Sequence, residues 1–448
     1  MLPGMWWALY QILLWFGYPL VRLRLYWRSR QSPAYAKGVD ERFGWAPKEV
    51  PQAAIWIHCV SAGETIAAAP LIKRLLAELQ RQAKDRGDTA RPVIVTTMTP
   101  TGREQVKRLL GEQVFHCYAP YDFKFAVERF LRRANPSALL LLETEIWPNL
   151  IVRSHALGLP VMLLNARLSD RSARSYRRVA GLIGPVLDRL DWLACQYPAD
   201  RDRFVELGAN AERISCVGNM KFDVGDSGSS SLIDPVVDAI AKRAGSAGRS
   251  CWLAGSTHAG EERIVLAAHA ELLTAFPELC LILVPRHPER FDSVFDACSG
   301  YRTQRVSQLP AVSRTSDPIA PAQIILVDQM GLLTELYRCA DVAFIGGSLA
   351  SVGGHNPIEA ANASVPMLMG PHRFNFAAVC EAFVAAGAML EVHDATTLAN
   401  QVRGLLDDPQ RRASLGAAGK QVVLENSGST GLLLDGIISR IAAAENAH

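Results

Sequence analysis

The apolar residues of this chain gather in short runs separated by stretches of helical period, and that alternation restricts it to very few folds. Runs fall at 54–60, 93–97, 138–142, 161–164, 192–195 and 214–217, with amphipathic stretches such as 65–80 and 126–133 between them. A short apolar run with no polar alternation is buried on both faces. Strands of that kind, joined by helices, form parallel sheets covered on both sides. A second series follows at 251–254, 281–284, 324–327, 342–345 and 366–369. At 448 residues the chain also exceeds what one hydrophobic core supports. The expectation is α/β: two Rossmann-like domains facing a cleft, with an N-terminal segment at 1–30, a first domain at 31–225, a Gly/Ser-rich linker at 226–235 and a second domain at 236–448. The last helices have room to return to the first domain. Ligands in such folds sit at the carboxyl ends of the strands, so the chemistry is sought there.

Composition, 49% hydrophobic and 20% charged, suits a globular protein and excludes long disorder. The net charge of +3 hides an asymmetry. Residues 1–225 hold 31 Lys/Arg against 21 Asp/Glu, and the remainder 16 against 23. A basic half suggests an anionic partner. Zinc-finger spacing, RNP-like aromatic runs and basic heptads are all missing, so anionic lipid is favoured over nucleic acid. The nine cysteines are singletons that read as small core residues in a reducing compartment. No H-E-x-x-H or His/Cys cluster suggests a metal site, and no cofactor is expected.

Residues 5–21 carry no formal charge and hold Trp6, Trp7, Tyr10, Trp15, Phe16 and Tyr18; Arg22, Arg24, Arg28 and Arg30 follow, with no acid until Asp40. A signal peptide has its positive charge ahead of the apolar stretch, so this segment predicts a membrane anchor, either a short span or an in-plane helix. The arginines place the body on the cytoplasmic side. The ordinary alternative is an apolar helix packed on the domain.

At the strand ends, Ser61 and Glu64 have the spacing of a capping box. Glu64 is therefore either a cap or a carboxylate placed to act as general base on an incoming hydroxyl. Glu143 and Glu145 follow a buried strand directly, which is uncommon unless carboxylates bind something or pair with basic groups. Arg167, Arg171, Arg174 and Arg178 step by four, three and four, one helical face that is either simply solvated or set against lipid phosphate. In the second half, Ser256, Thr257 and His258 end one strand, and Pro285, Arg286 and His287 end the next. Gly347 and Ser348 precede a Gly-rich loop. Asn356 as N-cap with Pro357 at the first helical position predicts a helix start able to receive an anion, with Glu359 at the capping-box position. Neither G-x-G-x-x-G nor G-x-x-x-x-G-K-[ST] occurs, which removes the main support for nicotinamide and P-loop readings.

The motifs running from His58 to Thr65, Thr96 to Gly102, Glu143 to Asn149, Asn165 to Ser169, Gly218 to Asp223, Val284 to Phe291 and Gly353 to Ala361 resemble, in order, the Kdo transferases of Gram-negative bacteria. That resemblance implies a GT-B glycosyltransferase with an acceptor domain first and a donor domain second. It also implies CMP-Kdo as donor, a lipid A precursor (lipid IVA) as acceptor and attachment to the cytoplasmic face of the inner membrane. It gives Glu64 the role of general base, with Lys221 facing the Kdo carboxylate or the leaving phosphate. CMP contacts map to Pro285, Arg286, Met330, Gly331, Leu332, Asn356, Pro357, Ile358 and Glu359. Weaker candidates for donor or phosphate are Ser256, Thr257, His258, His287, Gly347 and Ser348. For acceptor or membrane they are Glu145, Arg167, Arg171, Arg174 and Arg178. The family pattern has an acidic residue at Leu332, so the contact expected there is with backbone. The competing readings are a GT-B transferase for another nucleotide sugar and a nucleotide-binding membrane protein without catalysis.

Overall fold

The computed structural model describes residues 4–225, 235–244, 249–308 and 322–446. All but the last residue of the linker expected at 226–235 lies outside them. The chain divides into two compact units, Met1–Val224 with Ser427–His448, and Gly225–Asn426.

The first unit is built on β1 (Ile55–His58), β2 (Val93–Thr97), β3 (Phe115–Tyr118), β4 (Ala138–Leu142), β5 (Val161–Ala166), β6 (Trp192–Cys195) and β7 (Ile214–Cys216). They form one sheet in the order β3-β2-β1-β4-β5-β6-β7, every pair parallel. The chain builds outward from β1 to β3 and then returns to the other side of β1 with β4. Between β1 and β4 the strand order reverses, and their carboxyl ends flank a crevice of the kind that receives ligands in such sheets. Strands β1, β2, β4, β5 and β6 are buried throughout, as uninterrupted apolar runs require.

The last helix, Ser429–Asn446, belongs to this unit and buries Leu433, Ile437 and Ile441 among Ala68, Ile72 and Leu75 of the Ala62–Arg86 helix. Asp223 accepts the backbone N–H groups of Gly428 (2.8 Å) and Thr430 (2.6 Å), fixing its start. Gly436 is glycine because the Trp192 ring fills the space a Cβ would take.

Residues 5–31 form one helix, and no helix among the described residues is long and apolar enough to cross a membrane. One face of this helix is committed to the protein body. Tyr10 donates to Asp122 Oδ2 (2.6 Å) and Gln11 to Asn149 Oδ1 (2.8 Å). Leu14, Tyr18, Val21 and Leu25 pack around Phe43 and Phe123. The opposite face leaves Leu9, Ile12, Leu13, Trp15, Phe16, Leu20 and Trp27 exposed.

The second unit contains β8 (Cys251–Thr257), β9 (Cys280–Pro285), β10 (Thr303–Arg305), β11 (Ile324–Leu326), β12 (Val342–Ile345), β13 (Met367–Met369) and β14 (Met389–Glu391). Again the sheet is parallel, in the order β10-β11-β9-β8-β12-β13-β14, and its order reverses between β8 and β12.

Candidate active site

In the first unit, acidic and basic side chains meet at the reversal point. Beyond β1 the chain turns into the Ala62–Arg86 helix with Ser61 as N-cap. Ser61 caps the helix by accepting the Glu64 N–H (3.3 Å), but the reciprocal half of a capping box is not formed: the Glu64 carboxylate accepts from Val60 N–H (2.8 Å), one residue before the cap, and from the Ser61 hydroxyl (2.9 Å). Capping does not exhaust this side chain. Glu64 is 9% exposed, and burial, then the charges of Glu143 and Glu145, push its pKa up to about 8.

Glu143, at the end of β4, adopts left-handed backbone (φ 56°), rare for a residue with a side chain. The conformation is held by its N–H donating to Leu164 O (2.9 Å) and by the next residue, Thr144, whose hydroxyl donates to Arg167 O. Glu143 Oε1 lies 2.8 Å from Lys221 Nζ. Glu145 accepts from Trp147 Nε1 (2.5 Å), and burial raises its pKa. Lys221 stands on the helical turn Met220–Gly225 that follows β7. That turn is fixed by Asn165, fully buried at the tip of β5 with φ 52°, whose Oδ1 accepts from Met220 N–H (3.1 Å). Glu143 and Asn165 therefore fix where Lys221 stands. Their sequence signal is polarity directly after a buried strand.

The arginine face is only partly realised. Ser169 caps the following helix through Ser172 N–H (3.2 Å), so the helix runs Asp170–Arg177. Arg167 falls before it and Arg178 is its C-cap, which leaves Arg171 and Arg174 as the helical members. Arg171, Arg174 and Arg178 are exposed, and Arg167 is half-buried.

In the second unit a single buried carboxylate organises the reversal point. Glu261, 1% exposed, accepts backbone N–H groups from His258 (2.9 Å), Gly347 (2.7 Å), Ser348 (3.1 Å), Leu349 (2.9 Å) and Ala350 (3.2 Å). It thereby ties the end of β8 to the loop after β12. Ser348 is fully buried; its hydroxyl donates to Ile345 O (2.5 Å) and accepts from Gly370 N–H (2.8 Å), a structural role rather than a free ligand contact. Ser256 is half-buried in left-handed backbone (φ 53°), and Thr257 is buried, with its carbonyl accepting from Arg286 N–H (3.0 Å). Pro285 ends β9 and is buried, whereas Arg286 and His287 are half-buried.

The helix expected at Asn356 is short: Ile358–Asn362, with Pro357 rather than Asn356 at the cap position. Asn356 does accept Ile358 N–H (3.1 Å), but so short a helix has little dipole to offer an anion. Pro357 and Ile358 are buried packing residues. Glu359 is the connector. It accepts from Asn356 Nδ2 (3.1 Å) and from the hydroxyl of Thr334 (2.8 Å), which joins the Asn356–Glu359 segment to the helix following Met330, Gly331 and Leu332. Met330 and Gly331 are exposed, and Leu332 is buried, which accounts for an apolar side chain there. Among the described residues no group of three or more His, Cys, Asp or Glu is arranged to hold a metal ion.

Two units, each a parallel seven-stranded α/β sheet with charged side chains at its reversal point, define a glycosyltransferase-like architecture of the GT-B type. The same fold, and no more than the fold, is shared with the UDP-GlcNAc 2-epimerase of Neisseria meningitidis, 13% identical with a TM-score of 0.56 over 86% of this chain and 100% of that one. The family model described as 3-deoxy-D-manno-octulosonic-acid transferase (kdotransferase) matches residues 37–224. The chain is 36% identical to the 3-deoxy-D-manno-octulosonic acid transferase of Haemophilus influenzae over 434 residues, 96% of this chain and 98% of that protein. It is 34% identical to that of Bordetella pertussis over 431 residues, 94% and 96% of the two. The chain belongs to the 3-deoxy-D-manno-octulosonic acid transferase family and is a glycosyltransferase.

Proposed function

We propose that the chain transfers Kdo from CMP-Kdo to a lipid A precursor, lipid IVA, with Glu64 as general base and inversion at the anomeric carbon. The observation that carries this reading is the meeting of Glu64 with Glu143 and Glu145 at the reversal point of the first sheet, where Glu143 in turn pairs with Lys221. A carboxyl whose pKa lies near 8 is poorly solvated and strongly basic once ionised, the condition wanted of a base for a sugar hydroxyl. Glu64 takes the hydroxyl proton as that oxygen bonds to the Kdo anomeric carbon. The bond to the phosphate oxygen breaks on the opposite face, and its electron pair leaves with CMP. Donor recognition falls to the second unit, through Arg286, the Met330–Leu332 segment and Asn356 to Glu359. Lys221, held by Glu143, offers a cation to the Kdo carboxylate. Arg286 and Lys221 supply positive charge without a divalent ion, so transfer proceeds in excess EDTA.

The exposed apolar face of the N-terminal helix supports an in-plane anchor on the cytoplasmic side of the inner membrane. The hydrogen bonds of Glu64 to Ser61 and Val60 at the helix start favour the rival view that Glu64 serves the helix alone. Glu64→Gln separates the two when CMP-Kdo and lipid IVA are supplied: loss of most turnover with CMP affinity retained is expected, and near-normal turnover would make Glu64 a cap. Activity with another nucleotide sugar and none with CMP-Kdo would replace the donor.

A further inference from the structure

The reversal point of the second sheet carries an imidazole pair. His258 ends β8 and His355 stands on the loop after β12, and their Nε2 atoms are 2.8 Å apart with the ring planes within 9°. Two imidazole nitrogens so placed are bonded only if one proton lies between them: one ring donates and the other accepts. The close approach is built in. Gly347 has left-handed backbone (φ 69°), and a Cβ there would stand 3.0 Å from His355 Cδ2. Glu261 holds both loops from beneath.

Groups of both signs face the pair. His287 meets the His258 ring edge-on at 5.0 Å, and Arg286 bears on both histidines. The facing acids are Glu261 and Glu262 of the Glu261–Ala275 helix. Glu261 is occupied by five backbone N–H groups, and Glu262 is paired with Arg290 (2.5 and 2.9 Å). Burial is the first cause lowering the pKa of both imidazoles; at His258 Glu261 and Glu262 oppose it, and His355, which also feels Arg286, is pushed down to about 3.

We propose that His258 and His355 form the site for the donor's phosphate and that the pair takes up one proton when a nucleoside monophosphate binds. This rests on the reading that the second unit binds the donor. A neutral pair has one ring nitrogen still open. Protonating it gives a monocation and leaves the Nε2–H···Nε2 bond intact, so charge is gained without rearrangement. The chemistry of transfer calls for such a group. In CMP-Kdo the phosphate is a diester with one negative charge. When the bond to the anomeric carbon breaks, the electron pair stays on the phosphate oxygen and the phosphate becomes a doubly charged monoester. The acceptor proton goes to Glu64; the pair keeps its own proton, drawn from solvent, and faces the new charge as a cation.

The test is calorimetric titration of the full chain with CMP at pH 7.5 in buffers of low and high ionisation enthalpy, with cytidine as the phosphate-free control. At that pH CMP is already largely a dianion, since a phosphate monoester's second pKa is about 6. Wild type should take up a proton with CMP and none with cytidine. His355→Gln should lose the uptake and bind CMP at least about tenfold more weakly, because holding a full proton at pH 7.5 needs the bound pair's pKa about one unit or more above that pH. His258→Gln should behave the same way and serves if the first variant fails to fold. CMP binding without proton uptake, or with uptake unchanged in a folded variant, would overturn the pair's role and leave the donor reading standing. Failure of wild type to bind CMP would overturn both.

Discussion

Lys221 Nζ lies 2.8 Å from Glu143 Oε1, and both groups belong to the crevice that holds Glu64. Glu143, with Glu145, is the charge that Glu64 feels. Burial is the larger cause of its raised pKa, and Glu143 is the next. Lys221 offsets part of the Glu143 charge.

Two substitutions should therefore move the pH profile in opposite directions. A general base works in its ionised form, so kcat/KM in wild type should rise with pH and level off above about 8. Glu143→Gln removes a like charge, and its acid limb should move down by roughly 0.5–1 unit. Lys221→Met leaves the Glu143 charge unopposed, so its limb should move up. Superimposable profiles for the three enzymes would detach Glu143 and Lys221 from the base.

Glu64 should also cost the fold stability at alkaline pH. Its folded pKa, about 8, lies above the ordinary glutamate value of 4.5, so between the two the folded state binds a proton that the unfolded state has released. Stability is fully present below about 4.5 and falls as pH rises towards 8. Glu64→Gln keeps an acceptor for Val60 N–H and lacks this titration. Its melting temperature relative to wild type should climb between pH 5 and pH 9, by about 3 °C or more. A constant difference across that range would place the carboxylate in a well-solvated setting.

The strands missed in the sequence are β3, β10 and β14, and all three are edge strands. An edge strand is covered less and needs no continuous apolar run; Thr303–Arg305 has none at all. Central strands were legible because burial on both faces leaves only apolar choices. The same logic separates the site residues. Glu64 declares itself through its spacing from Ser61, whereas Lys221 meets Glu143 (2.8 Å) only once the fold brings the two together. His355 reads as one polar residue in a Gly-rich loop until the fold sets it against His258. Glu261 shows only as an acid in a first helical turn, although five backbone groups depend on it.

The exposed face of the N-terminal helix should hold the protein on membranes. Leu13, Phe16 and Leu20 are 64%, 67% and 68% exposed and make no part of the docking face. Replacing all three with Ser should leave the melting temperature nearly unchanged and weaken partitioning onto phosphatidylethanolamine/phosphatidylglycerol vesicles at least about tenfold, because each removes apolar area worth about 1 kcal/mol or more. Vesicle sedimentation at fixed lipid would show it. Unchanged partitioning would move the attachment elsewhere on the body.

The arginines should then act beside that face. Trp6, near the start of the N-terminal helix, packs on Gly181 of the helix Ala180–Leu187, which directly follows the basic stretch. Arg177 is engaged with Glu206 (2.8 Å), and Arg171, Arg174 and Arg178 are exposed with no ion pair among the described residues. Unpaired arginines at an anionic surface contribute about 1 kcal/mol each, screened over about a Debye length. Replacing these three with Gln should raise the acceptor KM at low salt and flatten its dependence on ionic strength. The donor KM should hardly move, because donor recognition is assigned to the other unit. A solvated surface with no lipid contact would change neither. Acceptor KM measured against ionic strength for wild type and triple mutant decides it, and superimposable curves would leave these arginines to solvent.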